Sequence, residues 1–146
     1  MPLDEKELIR QALKARTYAY TPYSNFQVGA ALLAADGRVF TGCNIESASY
    51  TPSNCAERTA FFKAVSEGVR DFKAIAIVGG PEGAEKLDIC APCGVCRQVM
   101  MEFCDPETFR ILLAVSPEEY QEYTLKQLLP MGFGPENLGK GKMKYD

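Results

Sequence analysis

The sequence predicts an α/β fold in three layers, with helices on both faces of a mixed sheet of about five strands. Three observations lead there. Apolar runs of strand length recur along the chain, separated in its second half by segments of helical period. Two early runs are joined by Ala35-Asp36-Gly37, a hairpin signal that puts an antiparallel pair in the sheet. The later strands alternate with helices, which implies parallel pairing through right-handed crossovers. With 146 residues, one domain covering residues 1–146 is expected, with a loop-like tail from about residue 131.

Taken in order, Asp4 followed by Glu7 reads as a capping box, and Leu8, Ile9, Ala12 and Leu13 follow at helical spacing. Thr21-Pro22 disfavours the α region, so this first helix ends near residues 17–20. Residues 27–34 form a buried strand, and residues 38–44 return from the hairpin as a second. Gly29, Ala30 and Ala31 are small enough for another element to pack closely on the first strand. A polar, irregular stretch follows from Glu46 to Asn54, and Cys55 opens a helix that Gly68 is placed to terminate. Residues 72–78 make a third strand, which Gly79-Gly80-Pro81 is expected to end. A helix from about Cys93 to Phe103, a strand over 109–115, an edge strand over 119–123 and a short helix over 124–129 complete the order.

Composition excludes several classes. The net charge of −3 lacks the basic surface a nucleic-acid binder needs. No apolar run is long enough to cross a bilayer, and the first residues carry no signal-peptide core, so a cytoplasmic location with no membrane partner is expected. In a reducing compartment, six cysteines point to metal or catalysis before disulfides. Cys43 and Cys104 stand apart and read as small buried hydrophobes.

Three of the remaining four cysteines lie in two stretches, Pro52-Ser53-Asn54-Cys55-Ala56-Glu57-Arg58 and Pro92-Cys93-Gly94-Val95-Cys96, with Cys90 just before the second. The chain has no histidine, so a soft metal must be held by thiolates, and a base near neutral pH must be sought among carboxylates. Cys93 and Cys96, three apart at a helix start, share a face, and Cys55 opens another helix. Side chains at helix starts tilt toward the N-terminus, so two facing starts can present three sulfurs to one zinc and leave its fourth position open. Three thiolates and Zn²⁺ sum to −1; two helix N-termini, with Arg58 donating to the sulfurs, offset that charge. Glu57 gives the site a hydrolytic character, because a structural zinc has no use for a carboxylate that is not a ligand.

Cys55-Ala56-Glu57-Arg58-Thr59-Ala60 and Pro92-Cys93-Gly94-Val95-Cys96-Arg97-Gln98 resemble the two signature blocks of the cytidine deaminase family. Tyr23 to Leu32, Gly42-Cys43-Asn44-Ile45-Glu46 and Gly132-Phe133-Gly134-Pro135-Glu136 resemble its remaining blocks, in the family's order. The resemblance implies a cytidine deaminase-like sandwich in a homotetramer with one Zn²⁺ per subunit. The activity it implies is hydrolysis of cytidine and deoxycytidine to uridine and deoxyuridine, with release of ammonia, in pyrimidine salvage. Activated water then attacks C4 of the base while Glu57 shuttles the proton. Cys55, Cys93 and Cys96 are the implied ligands. Asn44 and Glu46 are implied at the ribose hydroxyls, Phe26 beside the nucleoside and the Ala56 backbone at the base. Phe133 and Tyr50 are implied to act across subunit interfaces.

Without that resemblance, Phe26 reads as core, Phe133 as a loop residue, and Asn44 and Glu46 as solvated positions past a strand. Ala91 where serine is common, and the bulky Phe61-Phe62 pair, depart from the family pattern. Cys90 leaves two binding-module readings open. One is a closed structural zinc with Cys90 as fourth ligand. The other is an iron–sulfur motif, for which Met100 stands where the fourth cysteine belongs. A deaminase of another aminopyrimidine, similar to those acting on blasticidin S, is the nearer alternative.

Overall fold

The computed structural model describes residues 3–140; Met1, Pro2 and the part of the expected tail from 141 to 146 lie outside the described residues. Asp4 caps α1 (Glu5–Arg16), its carboxylate accepting the Glu7 N–H at 3.0 Å. β1 (Phe26–Ala34) and β2 (Val39–Cys43) form the hairpin, and α2 (Ala56–Ser66) follows. Then come β3 (Phe72–Pro81), α3 (Gly94–Phe103), β4 (Arg110–Ser116), β5 (Glu119–Thr124) and α4 (Leu125–Leu128). The tail from 131 is less loop-like than expected, since Pro135–Leu138 turns into a short 3-10 helix.

The five strands make one mixed sheet in the order β2-β1-β3-β4-β5. Only β3 and β4 pair in parallel, as the intervening helix requires; the other neighbours are antiparallel. One boundary differs from the sequence reading. β3 does not stop at Gly79-Gly80 but runs to Pro81, because β1 starts early enough to supply partners. Phe26 pairs with Pro81, Gln27 with Gly80 and Val28 with Gly79. Arg16 secures this end from α1, with Nε donating to the Gln27 carbonyl at 2.9 Å and Nη2 to those of Gly80 and Pro81 at 3.0 and 2.8 Å.

Strand alternation divides the core in two. Leu8, Ile9 and Ala12 of α1 pack with Ala31, Ala74, Ala76, Val78 and Leu112 on one face. Ala60, Phe61 and Ala64 of α2, Met100 of α3 and Leu125 of α4 pack with Leu32, Ile75, Ile77, Ile111 and Leu113 on the other. The sheet is thus covered on both sides, completing the three layers.

Two glycines set how closely the helices approach. A Cβ on Gly29 would lie 2.1 Å from the Ala12 carbonyl oxygen of α1. A Cβ on Gly42 would lie 2.3 Å from the Ala56 carbonyl oxygen and 2.7 Å from the Ala60 nitrogen of α2. The first turn of α2 therefore rests directly on β2. Phe61 fixes the other side of α2. Fully buried, its ring meets Phe72 edge-on at 5.1 Å, stacks on Phe103 at 6.2 Å and leans on Phe109 at 6.1 Å. The bulk that departs from the family pattern at Phe61 locks α2 to α3 and to the strand starts. Phe62, by contrast, is half exposed.

Because the contacts at Gly29 are to backbone that cannot swing aside, Gly29→Ala is expected to lower unfolding free energy by about 1–3 kcal/mol. A denaturant titration with an unshifted midpoint would show that α1 does not sit this close to β1.

Candidate active site

The sulfurs meet because two helices start at the same place. Cys55 is the N-cap of α2 and Cys93 the N-cap of α3, both in extended backbone, while Cys96 lies in the first turn of α3. Cys93 Sγ accepts the Cys96 N–H at 3.4 Å, so one would-be ligand also caps its own helix. Sγ–Sγ distances are 3.8 Å from Cys55 to Cys93 and 3.4 Å from Cys93 to Cys96, and all three sulfurs lie within 4.8 Å of one another. Tetrahedral zinc, with bonds of about 2.3 Å to sulfur, sets its sulfurs about 3.8 Å apart. The three sulfurs are close enough to share one such ion. Cys90 lies outside the cluster, its sulfur packed over Gly79, so the closed zinc lacks its fourth ligand and the iron–sulfur motif, already without a cysteine at Met100, lacks its first.

Local hydrogen bonds hold the cluster in register with the strands. Ile45 and Asn54 exchange backbone bonds of 3.0 and 2.8 Å, which close the loop between them. The end of β2 therefore lies beside Cys55. The Asn54 side-chain amide is 3.3 Å from Thr59 Oγ1, and Thr59 Oγ1 donates to the Cys55 carbonyl at 3.1 Å. On α3, Arg97 ties the Pro92 carbonyl (2.8 Å) to that of Leu128 at the end of α4 (2.6 Å).

The charges around the sulfurs are unequal. Cys55 is drawn down to about 5, chiefly by its hydrogen bond with Cys96 and then by those with Arg58 and Cys93, against the cost of burial. Cys96 is pushed well above the ordinary thiol range by the same bond with Cys55, by burial and by the nearby Glu57 carboxylate. Cys55 and Cys96 thus do not ionise together by themselves, and a dication is what allows both to. Arg58 Nη2 donates to Cys55 Sγ at 3.3 Å. Glu57 is 4% exposed, and burial raises it to about 7, with the Cys55 charge adding to the shift. Burial likewise raises Cys90 to about 11. Of the two cysteines expected to be plain hydrophobes, Cys104 is buried in the core and Cys43 is half-buried.

The substrate-side candidates gather at the end of the hairpin. Asn44 Oδ1 accepts the Val28 N–H and its Nδ2 donates to the Phe26 carbonyl, both at 2.8 Å, so the side chain stitches β2 to the start of β1. Glu46 Oε1 accepts the Tyr23 and Ser24 N–H groups, both at 3.1 Å, and Ser24 Oγ bonds its Oε2. The Ser24 hydroxyl is the main reason the Glu46 carboxyl is held below its usual range. Asn44, Glu46, Tyr50, Cys55 and Arg58 line a cavity of about 410 Å³. Glu46 and Tyr50 continue into a second, of about 380 Å³, with Tyr23, Ser24 and Ser53. A roomier groove of about 590 Å³, between the start of α1 and the hairpin turn, contains no cysteine.

Phe26 is 40% exposed, lines neither cavity and does not belong to the core, while Ala56 is fully buried at the first turn of α2. Tyr50 is 73% exposed, with φ +63°, and its ring meets Tyr23 edge-on at 6.2 Å. A left-handed tyrosine costs about 1–3 kcal/mol, which the surrounding loop must hold. Phe133 is 58% exposed and lines neither cavity; Gln98 Nε2 of α3 donates to its carbonyl at 2.7 Å. Sequence reasoning singled out neither Ser24 nor Gln98. Both lay inside quoted blocks, but the groups they hold are 22 and 35 residues away.

Residues 3–111 match the family model described as the cytidine and deoxycytidylate deaminase zinc-binding region. A cytidine deaminase of Sporosarcina psychrophila is 51% identical over 136 residues, covering 93% of this chain and 96% of its own. The crystal structure of cytidine deaminase from Burkholderia pseudomallei superposes with a TM-score of 0.78 at 49% identity, over 87% of this chain and 97% of that one. That from Mycobacterium tuberculosis does so with 0.76 at 39%, over 91% and 99%. With the fold, the three-sulfur cluster and the motif order in agreement, the chain belongs to the cytidine and deoxycytidylate deaminase family.

Proposed function

We propose that this chain is a zinc-dependent hydrolase that converts cytidine and deoxycytidine to uridine and deoxyuridine, releasing ammonia. The observation that carries the reading is Glu57, a buried carboxyl two residues from Cys55 whose pKa is raised to about 7. Cys55, Cys93 and Cys96 would hold one zinc per chain, and the metal, when bound, supplies the Lewis acidity that makes a water a stronger acid. Glu57, raised to about 7, would take one proton from that water and give it to the ring nitrogen of the base, then take the proton of the hydroxyl added at C4 and give it to the departing amine. Arg58 draws charge from the Cys55 sulfur. The Ala56 backbone meets the base, Phe26 lies beside the nucleoside, and Asn44 and Glu46 receive the ribose hydroxyls. The names of the relatives support a cytidine substrate over other aminopyrimidines.

The chain works as one domain, a reading supported by a single five-stranded sheet. Its working state is a homotetramer with shared sites. Tyr23 and Tyr50 line the cavity yet are exposed, and Phe133 is exposed and lines neither cavity, which leaves these rings available to a neighbouring copy. A place in cytoplasmic pyrimidine salvage is supported by six free thiols and, among the described residues, by no helix long and apolar enough to cross a membrane.

Glu57→Gln preserves shape but cannot carry the proton. The variant is expected to keep its zinc by metal analysis while cytidine turnover, followed by ultraviolet absorbance, falls about 100-fold or more. Near-normal turnover with zinc retained would remove Glu57 from the mechanism. The thiols give a second test. Because Cys96 is held protonated far above pH 7, zinc uptake by stripped protein must release protons, and affinity must fall as pH is lowered. Calorimetry in buffers of different ionisation enthalpy reads this release, and a heat independent of buffer contradicts it.

A further inference from the structure

Glu46 is gripped before any ligand arrives. Oε1 receives the N–H groups of Tyr23 and Ser24 at 3.1 Å each, and Oε2 bonds the Ser24 hydroxyl. Ser24 Oγ in turn accepts the Phe26 N–H at 3.1 Å, so one hydroxyl joins the carboxylate to the first residue of β1. A carboxylate offers about four lone-pair sites. Three are filled from the 23–24 turn, two on Oε1 and one on Oε2. A ligand hydroxyl therefore meets a single acceptor direction, on Oε2 of a residue that lines both cavities together with Tyr50 and Ser53.

We propose that Ser24 is a specificity-determining positioning residue, which fixes the one lone pair of Glu46 available to a sugar hydroxyl and thereby makes the enzyme select hydroxyl-bearing nucleosides. This rests on the reading of Glu46 as a ribose-hydroxyl acceptor. With the Ser24 hydroxyl removed, the two backbone amides still hold Oε1, but Oε2 is free to bind water along either lone pair. The sugar hydroxyl then competes with solvent for a group that is no longer aimed. The attack on the base, at the other end of the substrate, is left as it was. Ser24 therefore acts on KM for substrates with sugar hydroxyls, and not on kcat.

The test uses zinc-loaded wild type, Ser24→Ala, Ser24→Thr, Glu46→Gln and the Ser24→Ala/Glu46→Gln double variant, each with cytidine, 2′-deoxycytidine and 2′,3′-dideoxycytidine. Ser24→Ala is expected to lose roughly 10-fold or more in kcat/KM, through KM, on the substrates whose hydroxyl Glu46 binds. Dideoxycytidine should change by less than about twofold, because there is no hydroxyl to misplace. Ser24→Thr restores selectivity, and Ser24→Ala adds nothing in the Glu46→Gln background. Equal losses on all three substrates, no loss on any, or additive losses in the double variant would overturn the role of Ser24. The underlying reading fails separately. If Glu46→Gln leaves the preference for hydroxyl-bearing substrates intact, Glu46 is not the acceptor. If wild type turns over none of the three, the chain is not a nucleoside deaminase.

Discussion

Everything at the site depends on the N-termini of α2 and α3 opening onto the same point, with Cys55 and Cys93 as their caps. That convergence is a packing constraint before it is a chemical one. The first turn of α2 rests on the bare backbone of Gly42, and Phe61 wedges α2 against Phe103 at the far end of α3. A helix held on one side by backbone contact and on the other by a fully buried ring has little room to slide. The cysteine sulfurs inherit that rigidity, which is why three of them stand within a zinc ion's reach.

The same arrangement governs the charges. Three sulfurs close together resist ionising together, and the structure shows the conflict in the opposite shifts of Cys55 and Cys96. A dication resolves it, aided by two helix N-termini and the Arg58 guanidinium. Glu57 sits behind the cluster in a place dry enough to favour its protonated form, while the Cys55 charge strengthens that preference. A carboxyl with an ordinary pKa would be ionised almost all the time at neutral pH and would make a poor proton donor. Burial brings it into the range where it can both take and give.

What could be read in the sequence follows from how local each signal is. Cys93 and Cys96 are three apart, and Glu57 is two from Cys55, so a motif of a few residues carried the metal and its acid. The hairpin turn, the helix caps and the order of strands were legible for the same reason. The reach of β3 to Pro81 was not, because it depends on β1 beginning at Phe26 and offering partners. Likewise, nothing local announces that Ser24 bonds Glu46, that Gln98 holds the Phe133 loop, or that Tyr50 is left-handed. Those are consequences of which loops the sheet brings together. Cys90 stayed open in the sequence, since its regular spacing from Cys93 allows a ligand while only the fold packs its sulfur against Gly79.

The chemistry rests on a zinc held by three sulfurs with its fourth position open to a lighter atom. X-ray absorption at the zinc edge of the purified protein tests it directly. Three sulfur scatterers at about 2.3 Å and one oxygen or nitrogen at about 2.0 Å are expected. Four sulfurs, with Cys90 drawn in, would describe a closed structural centre and contradict it.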